Sequence, residues 1–258
     1  PRKNLYFEKS HAMIPTPYKI GKSIYRIYFS GRNSNNQSII SFADINLYPE
    51  IKVIRRCKTP ILKPGPLGCF DDNGVTPSCL INLNSKTKGL YYIGWNPGST
   101  VRMHLFGGLA LSKDNSLFKR YSNAPIIERD IYDPYLNTAP WVIKTNKTFI
   151  MYYVSGKEWL NKDLPRYNIK LATSKDGKKW DRKGKVAINF KNNSEHALAR
   201  PYVIKDLNIW KMWFSFKSKK YRIGYAESYD GIKWFRNDKF ANISVSKNSF
   251  DSDMIEYP

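Results

Sequence analysis

Five prolines recur along this chain in a fixed phase. Pro15, Pro77, Pro140, Pro201 and Pro258 are separated by 62, 63, 61 and 57 residues. The first four open one local pattern: a short apolar stretch, a polar turn, then a second stretch crowded with aromatics. The copies read Pro15-Thr-Pro-Tyr-Lys-Ile with Ile24-Tyr-Arg-Ile-Tyr-Phe29, Pro77-Ser-Cys-Leu-Ile with Gly89-Leu-Tyr-Tyr-Ile-Gly-Trp95, Pro140-Trp-Val-Ile-Lys with Thr148-Phe-Ile-Met-Tyr-Tyr153, and Pro201-Tyr-Val-Ile-Lys-Asp with Ile209-Trp-Lys-Met-Trp-Phe214. A fifth copy opens at Glu256-Tyr257-Pro258, where the sequence ends.

A second signature follows inside the repeats. Leu111-Ser-Lys-Asp-Asn115, Thr173-Ser-Lys-Asp-Gly-Lys-Lys-Trp180 and Glu227-Ser-Tyr-Asp-Gly-Ile-Lys-Trp234 share Ser-x-Asp-(Gly/Asn). The residue after the aspartate tolerates positive φ, which makes this a tight hairpin turn between two short strands. Each repeat therefore predicts four antiparallel strands. Four-stranded units recurring about sixty residues apart are propeller blades. A β-sandwich does not return one motif in one phase four times. The expectation is an all-β, five-bladed β-propeller occupying residues 1–258 as a single domain, its last blade incomplete in this chain.

Composition narrows the function classes. With 41% hydrophobic and 15% aromatic residues the chain is too apolar for disorder, and its wealth of Tyr, Phe, Trp and Ile disfavours a helical bundle. No apolar run nears the ~20 residues that span a bilayer. The opening PRKNLYFEKS has no apolar signal core. Cys57, Cys69 and Cys79 are odd in number and lack metal-site spacing, so neither a disulfide framework nor a zinc site is expected. A cytoplasmic chain with reduced thiols and without metal or cofactor follows from these signs. The 43 Lys+Arg against 21 Asp+Glu leave +22. Such an excess suits nucleic acid, an anionic membrane or an anionic substrate. The lysines are scattered and no nucleic-acid-binding signature is present, so nucleic acid is not an expected partner. An outer basic shell that attracts a charged glycan, or a membrane surface peripherally, is.

The acids carry the sharper signal. In a propeller the segments before the blade-start prolines converge near the axis. Here they hold Asp71, Asp72, Asp133, Glu195, Asp251 and Glu256, together with His11 and His196, two of only three histidines. Carboxyl groups gathered in one funnel raise each other's pKa, which keeps a general acid protonated near neutrality. Glycoside cleavage needs such an acid and a second, ionised carboxylate.

On the phased starts, the Ser-x-Asp-Gly-x-x-Trp hairpins and the segments FDDNGVTPS, YDPYLNTAPWVI and EHALARPYVIKDLNIWKMWFS, the chain resembles the five-bladed β-propeller glycosidase superfamily. This is the clan of arabinanases, β-xylosidases, invertases and related mannoside phosphorylases, and the resemblance spans essentially the whole chain. It implies Asp72 (or Asp71) as base or nucleophile, Asp133 as the residue that orients and tunes the acid, and Glu195 as general acid. It departs from the family at the first blade, where Lys9-Ser10-His11 stand in place of the usual aspartate. Arg200 and Arg32 are candidates for holding a carboxylate or phosphate. Trp141, ahead of Trp95 and Trp213, is the candidate for sugar stacking. His11, His196, Asp251 and Glu256 complete the expected substrate-binding set. The activity implied is glycoside hydrolysis on a sugar of cell-surface polysaccharide metabolism, the substrate being anionic, nucleotide-linked or lipid-linked. The alternatives are a glycan-binding propeller that has lost hydrolysis, and a phosphorylase holding phosphate through His and Arg.

Overall fold

The computed structural model describes residues 5–114, 117–146 and 148–258. Asn115, in the first of the Ser-x-Asp turns, lies outside the described residues. The chain divides into two compact units. Unit 1 takes residues up to Gly98 and Met103–Ile126; unit 2 takes Ser99–Arg102 and Ile127–Pro258.

Each unit holds two four-stranded antiparallel blades. In unit 1 they are β1 (Ser10–Lys19), β2 (Ile24–Arg32), β3 (Ser38–Asn46) and β4 (Lys52–Arg56), then β5 (Gly74–Asn82), β6 (Lys88–Pro97), β7 (Met103–Ser112) and β8 (Lys119–Arg120). In unit 2 they are β9 (Asn137–Lys144), β10 (Phe149–Asn161), β11 (Leu164–Ser174) and β12 (Asp181–Ile188), then β13 (Ala197–Asp206), β14 (Ile209–Lys217), β15 (Tyr221–Ser228) and β16 (Phe235–Arg236). A short 3-10 helix follows at Asp238–Ala241. This is the all-β, propeller-type fold that the repeat predicts. Residues 242–258, which include the fifth phased proline, carry no strand.

The repeat has a physical cause in each blade's first strand. One extra residue is accommodated beside the phased proline: the register slips between Met13 and Thr16, Pro77 and Cys79, Thr138 and Trp141, and Ala199 and Tyr202. Proline lacks the N–H that a regular ladder uses, and such residues belong at bulges. At four of the five prolines the preceding residue is left-handed: Ile14 at φ 53°, Ala139 at 47°, Arg200 at 52° and Tyr257 at 65°. A β-branched or long side chain there is strained, and the strain re-aims that side chain out of the pleat.

The Ser-x-Asp-Gly motif is a side-chain-built turn. Ser174 Oγ accepts from the Gly177 N–H at 2.9 Å, and Asp176 Oδ1 accepts from the N–H groups of Lys178 and Lys179 at 2.8 and 3.0 Å. Ser228, Asp230 and Gly231 repeat it, with Asp230 Oδ1 taking the N–H groups of Ile232 and Lys233 at 2.7 and 2.8 Å. Gly177 and Gly231 sit at φ 71° and 72°. The tryptophans fall one residue before β12 and β16, so the connections are longer than a two-residue hairpin. In unit 2 they close the packing between blades: Trp234 meets Tyr152 edge-on at 5.5 Å, and the Tyr152 hydroxyl donates to the Gly231 carbonyl at 2.7 Å. Unit 1 has its own core around Phe7, Tyr28, Ile40, Phe42, Leu90 and Phe118.

Candidate functional site

Three of the phased carboxylates are built into their blades by one recurring arrangement. Asp71 is fully buried, and its Oδ2 accepts from the Tyr92 hydroxyl and from Arg120 Nε, both at 2.9 Å. Asp133 is fully buried too. Its Oδ1 accepts from Ser155 Oγ and Lys170 Nζ at 2.7 Å each, and its Oδ2 from the Tyr153 hydroxyl at 2.7 Å and Arg182 Nη1 at 3.3 Å. Glu195 is bound by both arms of Arg236 at 2.8 Å, and its Oε2 also accepts from the Lys191 N–H at 2.9 Å.

The register explains the recurrence. Each arginine stands on its blade's outer strand opposite an alanine: Ala110 with Arg120, Ala172 with Arg182, Ala226 with Arg236. The small alanine leaves the arginine room to lie across the blade toward the acid. Acid length and ring chemistry compensate. Where β6 or β10 supplies a tyrosine, Tyr92 or Tyr153, the acid is aspartate and the phenol donates to it. Where β14 supplies Phe214, the acid is glutamate, whose extra methylene reaches the guanidinium unaided; Arg236 sits 5.0 Å from the Phe214 and Phe216 ring centroids.

Sequence reasoning missed two parts of this pattern. The arginines follow an aromatic two residues earlier, in Phe118-Lys-Arg120, Trp180-Asp-Arg182 and Trp234-Phe-Arg236. The first blade has the same acid phase at Glu8, seven residues before Pro15 and preceded by Phe7 as Asp71 is by Phe70. Glu8 is fully buried, close against Gly31, and Arg56 faces Ala43 in the matching register.

These settings have electrostatic consequences. Burial alone raises the Asp133 pKa, but Lys170, Ser155 and Tyr153 donate to the ionised form and bring it below the usual carboxylate range. The Asp238 carboxylate opposes burial in the same way through Arg236 and Lys191, its bond to Lys191 Nζ being 2.6 Å. The fit around Asp71 is tight. A Cβ on Gly94 would stand 2.4 Å from the Phe70 ring and 2.8 Å from Asp71 Cβ. Gly94→Ala is expected to destabilise the protein by about 1–3 kcal/mol, as overpacking does, measured by urea unfolding.

Asp72 differs. It is half-buried and held by two neutral donors, the Asn96 amide at 2.9 Å and the Gly68 N–H at 3.0 Å, with no ion pair among the described residues.

A second cluster forms in unit 2 where β11, β13, β14 and β15 begin or end. Backbone bonds fix it: the Tyr167 N–H to the His196 carbonyl and the His196 N–H to the Lys217 carbonyl, both 3.0 Å, and the Tyr257 N–H to Ser215 Oγ at 2.8 Å. The Tyr167 and Tyr221 hydroxyls lie 3.1 Å apart, and Lys217 Nζ sits 4.9 Å from the Tyr221 ring centroid. Burial pushes the Glu256 carboxyl above its ordinary range, against the pull of a Tyr257 hydrogen bond and the Lys217 charge. Burial lowers the His196 pKa, and the charges of Lys217 and Arg166 lower it further. Arg200 acts on Tyr257 electrostatically. Three sequence candidates, His196, Arg200 and Glu256, thus belong to one cluster, joined by Lys217, Tyr167 and Tyr221, which sequence reasoning did not single out.

The other candidates lie elsewhere. His11 is exposed at φ 63°, its Nδ1 2.8 Å from Ser10 Oγ. Arg32 bonds Asn36 Oδ1 at 2.7 Å. Trp141 is half-buried between the blades of unit 2, where its indole N–H donates to the Val203 carbonyl at 2.9 Å. Asp251 accepts from Ser246 Oγ.

Solved structures share this fold. A protein named as a glycoside hydrolase superposes with a TM-score of 0.75 at 18% identity, over 97% of this chain and 79% of its own. A thermostable family-43 glycoside hydrolase gives 0.67 at 17%, over 91% and 74%. The Bombyx mori GH32 β-fructofuranosidase BmSUC1 gives 0.64 at 14%, over 89% and 49%. The fold is that of the β-propeller glycosidase clan. No family model matches the chain. It is 39% identical over 259 residues to the uncharacterized protein Rv1502 of Mycobacterium tuberculosis strain H37Rv, spanning all of this chain and 86% of that protein, and 38% identical to MT1551 of strain CDC 1551 over the same shares. The chain belongs to the family of these mycobacterial proteins.

Proposed function

We propose that this chain is a carbohydrate-active propeller that takes an anionic sugar unit at the His196–Lys217–Glu256 cluster. The carrying observation is the division among the phased acids. Asp71, Asp133 and Glu195 lie buried in ion pairs with arginine. Asp72 and Glu256 have no ion pair among the described residues, and burial shifts the Glu256 pKa upward. A carboxyl raised by burial is suited to deliver a proton, and a carboxylate held by neutral donors is suited to act as base or nucleophile. In this reading Glu256 is the proton donor of the unit 2 cluster, Asp72 is a carboxylate of unit 1 left without an ion pair among the described residues, and the arginine-bound acids hold the blades. Lys217, which makes no ion pair among the described residues although its charge reaches Glu256, supplies the charge for the substrate's anionic group, and Arg200 assists it.

A second reading has its own support. The enclosure of Asp71, Asp133 and Glu195 favours a propeller that binds glycans without cleaving them. One panel tests both: neutral and uronate-bearing glycans, aryl glycosides, nucleotide-sugars and lipid-linked sugars, with and without inorganic phosphate. Anionic sugars are expected to bind at least tenfold more tightly than neutral counterparts, with the preference abolished in Lys217→Ala; a buried charge-assisted contact of about 1.5–3 kcal/mol corresponds to that factor. Equal binding of neutral and anionic sugars sinks the proposal. Tight anionic binding without bond cleavage selects the binding reading, and phosphate-dependent release selects phosphorolysis.

A further inference from the structure

The outer edge of the first blade carries a feature that glycan chemistry does not use. Within twelve residues, Leu47, Tyr48, Ile51, Val53 and Ile54 are solvent-exposed, with Tyr48 at 77%, Ile51 at 80% and Ile54 at 51%. Exposed Lys52, Arg55, Arg56 and Lys58 are interleaved with them, against a single acid, Glu50. All of β4 is exposed, and it pairs on one side only, with β3, among the described residues. Exposed edge strands are ordinarily blunted by charge; this one is charged but retains large apolar side chains beside the cations.

The pattern selects its occupant. A second copy pairing edge to edge would set Lys52, Arg55 and Arg56 against the same cations, on a chain of net charge +22. A nucleic acid would satisfy the cations but leave Ile51 and Ile54 facing a polar backbone. An anionic lipid surface satisfies both: apolar side chains enter the boundary between headgroups and acyl chains, a tyrosine sits at headgroup level, and the cations meet lipid charge. No helix among the described residues is long and apolar enough to cross a membrane; the contact lies in the surface side chains of this edge. We propose that residues 47–58 form a docking surface for an anionic lipid bilayer.

The experiment is vesicle co-sedimentation of the full chain, with phosphatidylcholine vesicles and with vesicles in which roughly one-third of the lipid is phosphatidylglycerol. Binding to the anionic vesicles alone is expected, largely lost near 1 M salt, where screening is complete within ~3 Å. Ile51→Ser/Ile54→Ser should lower partitioning at least tenfold through lost apolar burial. Lys52→Gln/Lys58→Gln should do so by more than tenfold, at about fivefold per cation. All four positions are exposed, and unchanged melting temperatures confirm that the variants fold. Equal binding to both vesicle types, or unchanged binding of either variant, overturns the proposal. So does a dimer in sedimentation velocity that the isoleucine pair dissolves, or duplex RNA binding that the lysine pair abolishes and the isoleucine pair leaves intact.

Discussion

Asp133→Asn lowers the melting temperature by about 6–20 °C. The side chain keeps its shape and loses its charge, leaving the buried Lys170 ammonium with neutral acceptors alone, the Tyr132 carbonyl at 2.8 Å among them, and Arg182 dependent on Asp130 at 2.7 Å. Removing one partner of a buried ion pair costs about 3–5 kcal/mol because the other charge stays behind unpaired, and each kcal/mol moves the melting point of a protein this size by about 2–4 °C. Replacing both partners, as in Asp133→Asn/Lys170→Met, is expected to recover much of the loss, a coupling that a double-mutant cycle reads directly. The pH dependence has a definite sign. The folded-state pKa of Asp133 is depressed, so its contribution is present above the unfolded value near 4 and disappears as pH falls through the folded one. Acid unfolding should therefore begin below about pH 4 in the wild type and be shallower in Asp133→Asn. A purely catalytic Asp133 would behave otherwise: an Asn variant with unchanged melting temperature and abolished turnover would refute the role given to it here.

That contrast shows what was legible in the sequence. The fold was, because a proline that must sit at a bulge and a Ser-x-Asp-Gly turn that must close a connection are local requirements, repeated in phase. The acids were legible as a set for the same reason. Their partners were not. Arg120 and Arg182 each lie 49 residues beyond their aspartates, and Arg236 lies 41 beyond Glu195, so only the blade's own register brings them together. A carboxylate before a blade-start proline looks alike in a sequence whether it faces solvent or an arginine. Trp141 has the same ambiguity: its position after Pro140 suggested a stacking platform, while its indole N–H serves the β13 backbone. The cluster around His196 was half legible, since His196, Arg200 and Glu256 share the phase, whereas Lys217, Tyr167 and Tyr221 reach it from strand ends that no motif marks.

Glu256→Gln provides the other large effect, and it separates chemistry from binding. Glutamine resembles the protonated carboxyl in shape and charge, so affinity for the anionic sugar should change by less than about threefold. Turnover on whichever substrate the panel identifies should fall about a hundred- to ten-thousand-fold, the range supplied by a positioned general acid. The pH profile gives the assignment away. A carboxyl whose pKa is raised by burial donates below that pKa and stops above it, so wild-type activity should decline on the alkaline side, and that limb should vanish from the residual activity of Glu256→Gln. Stability moves in the matching sense: a folded-state pKa above the unfolded one favours the fold below the unfolded value and loses that support as pH rises through the folded value. The variant should therefore be less pH-sensitive between the two. Full turnover in Glu256→Gln removes the proton-donor role. Reduced turnover with the alkaline limb intact places that titration on another group and removes the proton-donor role from Glu256 as well.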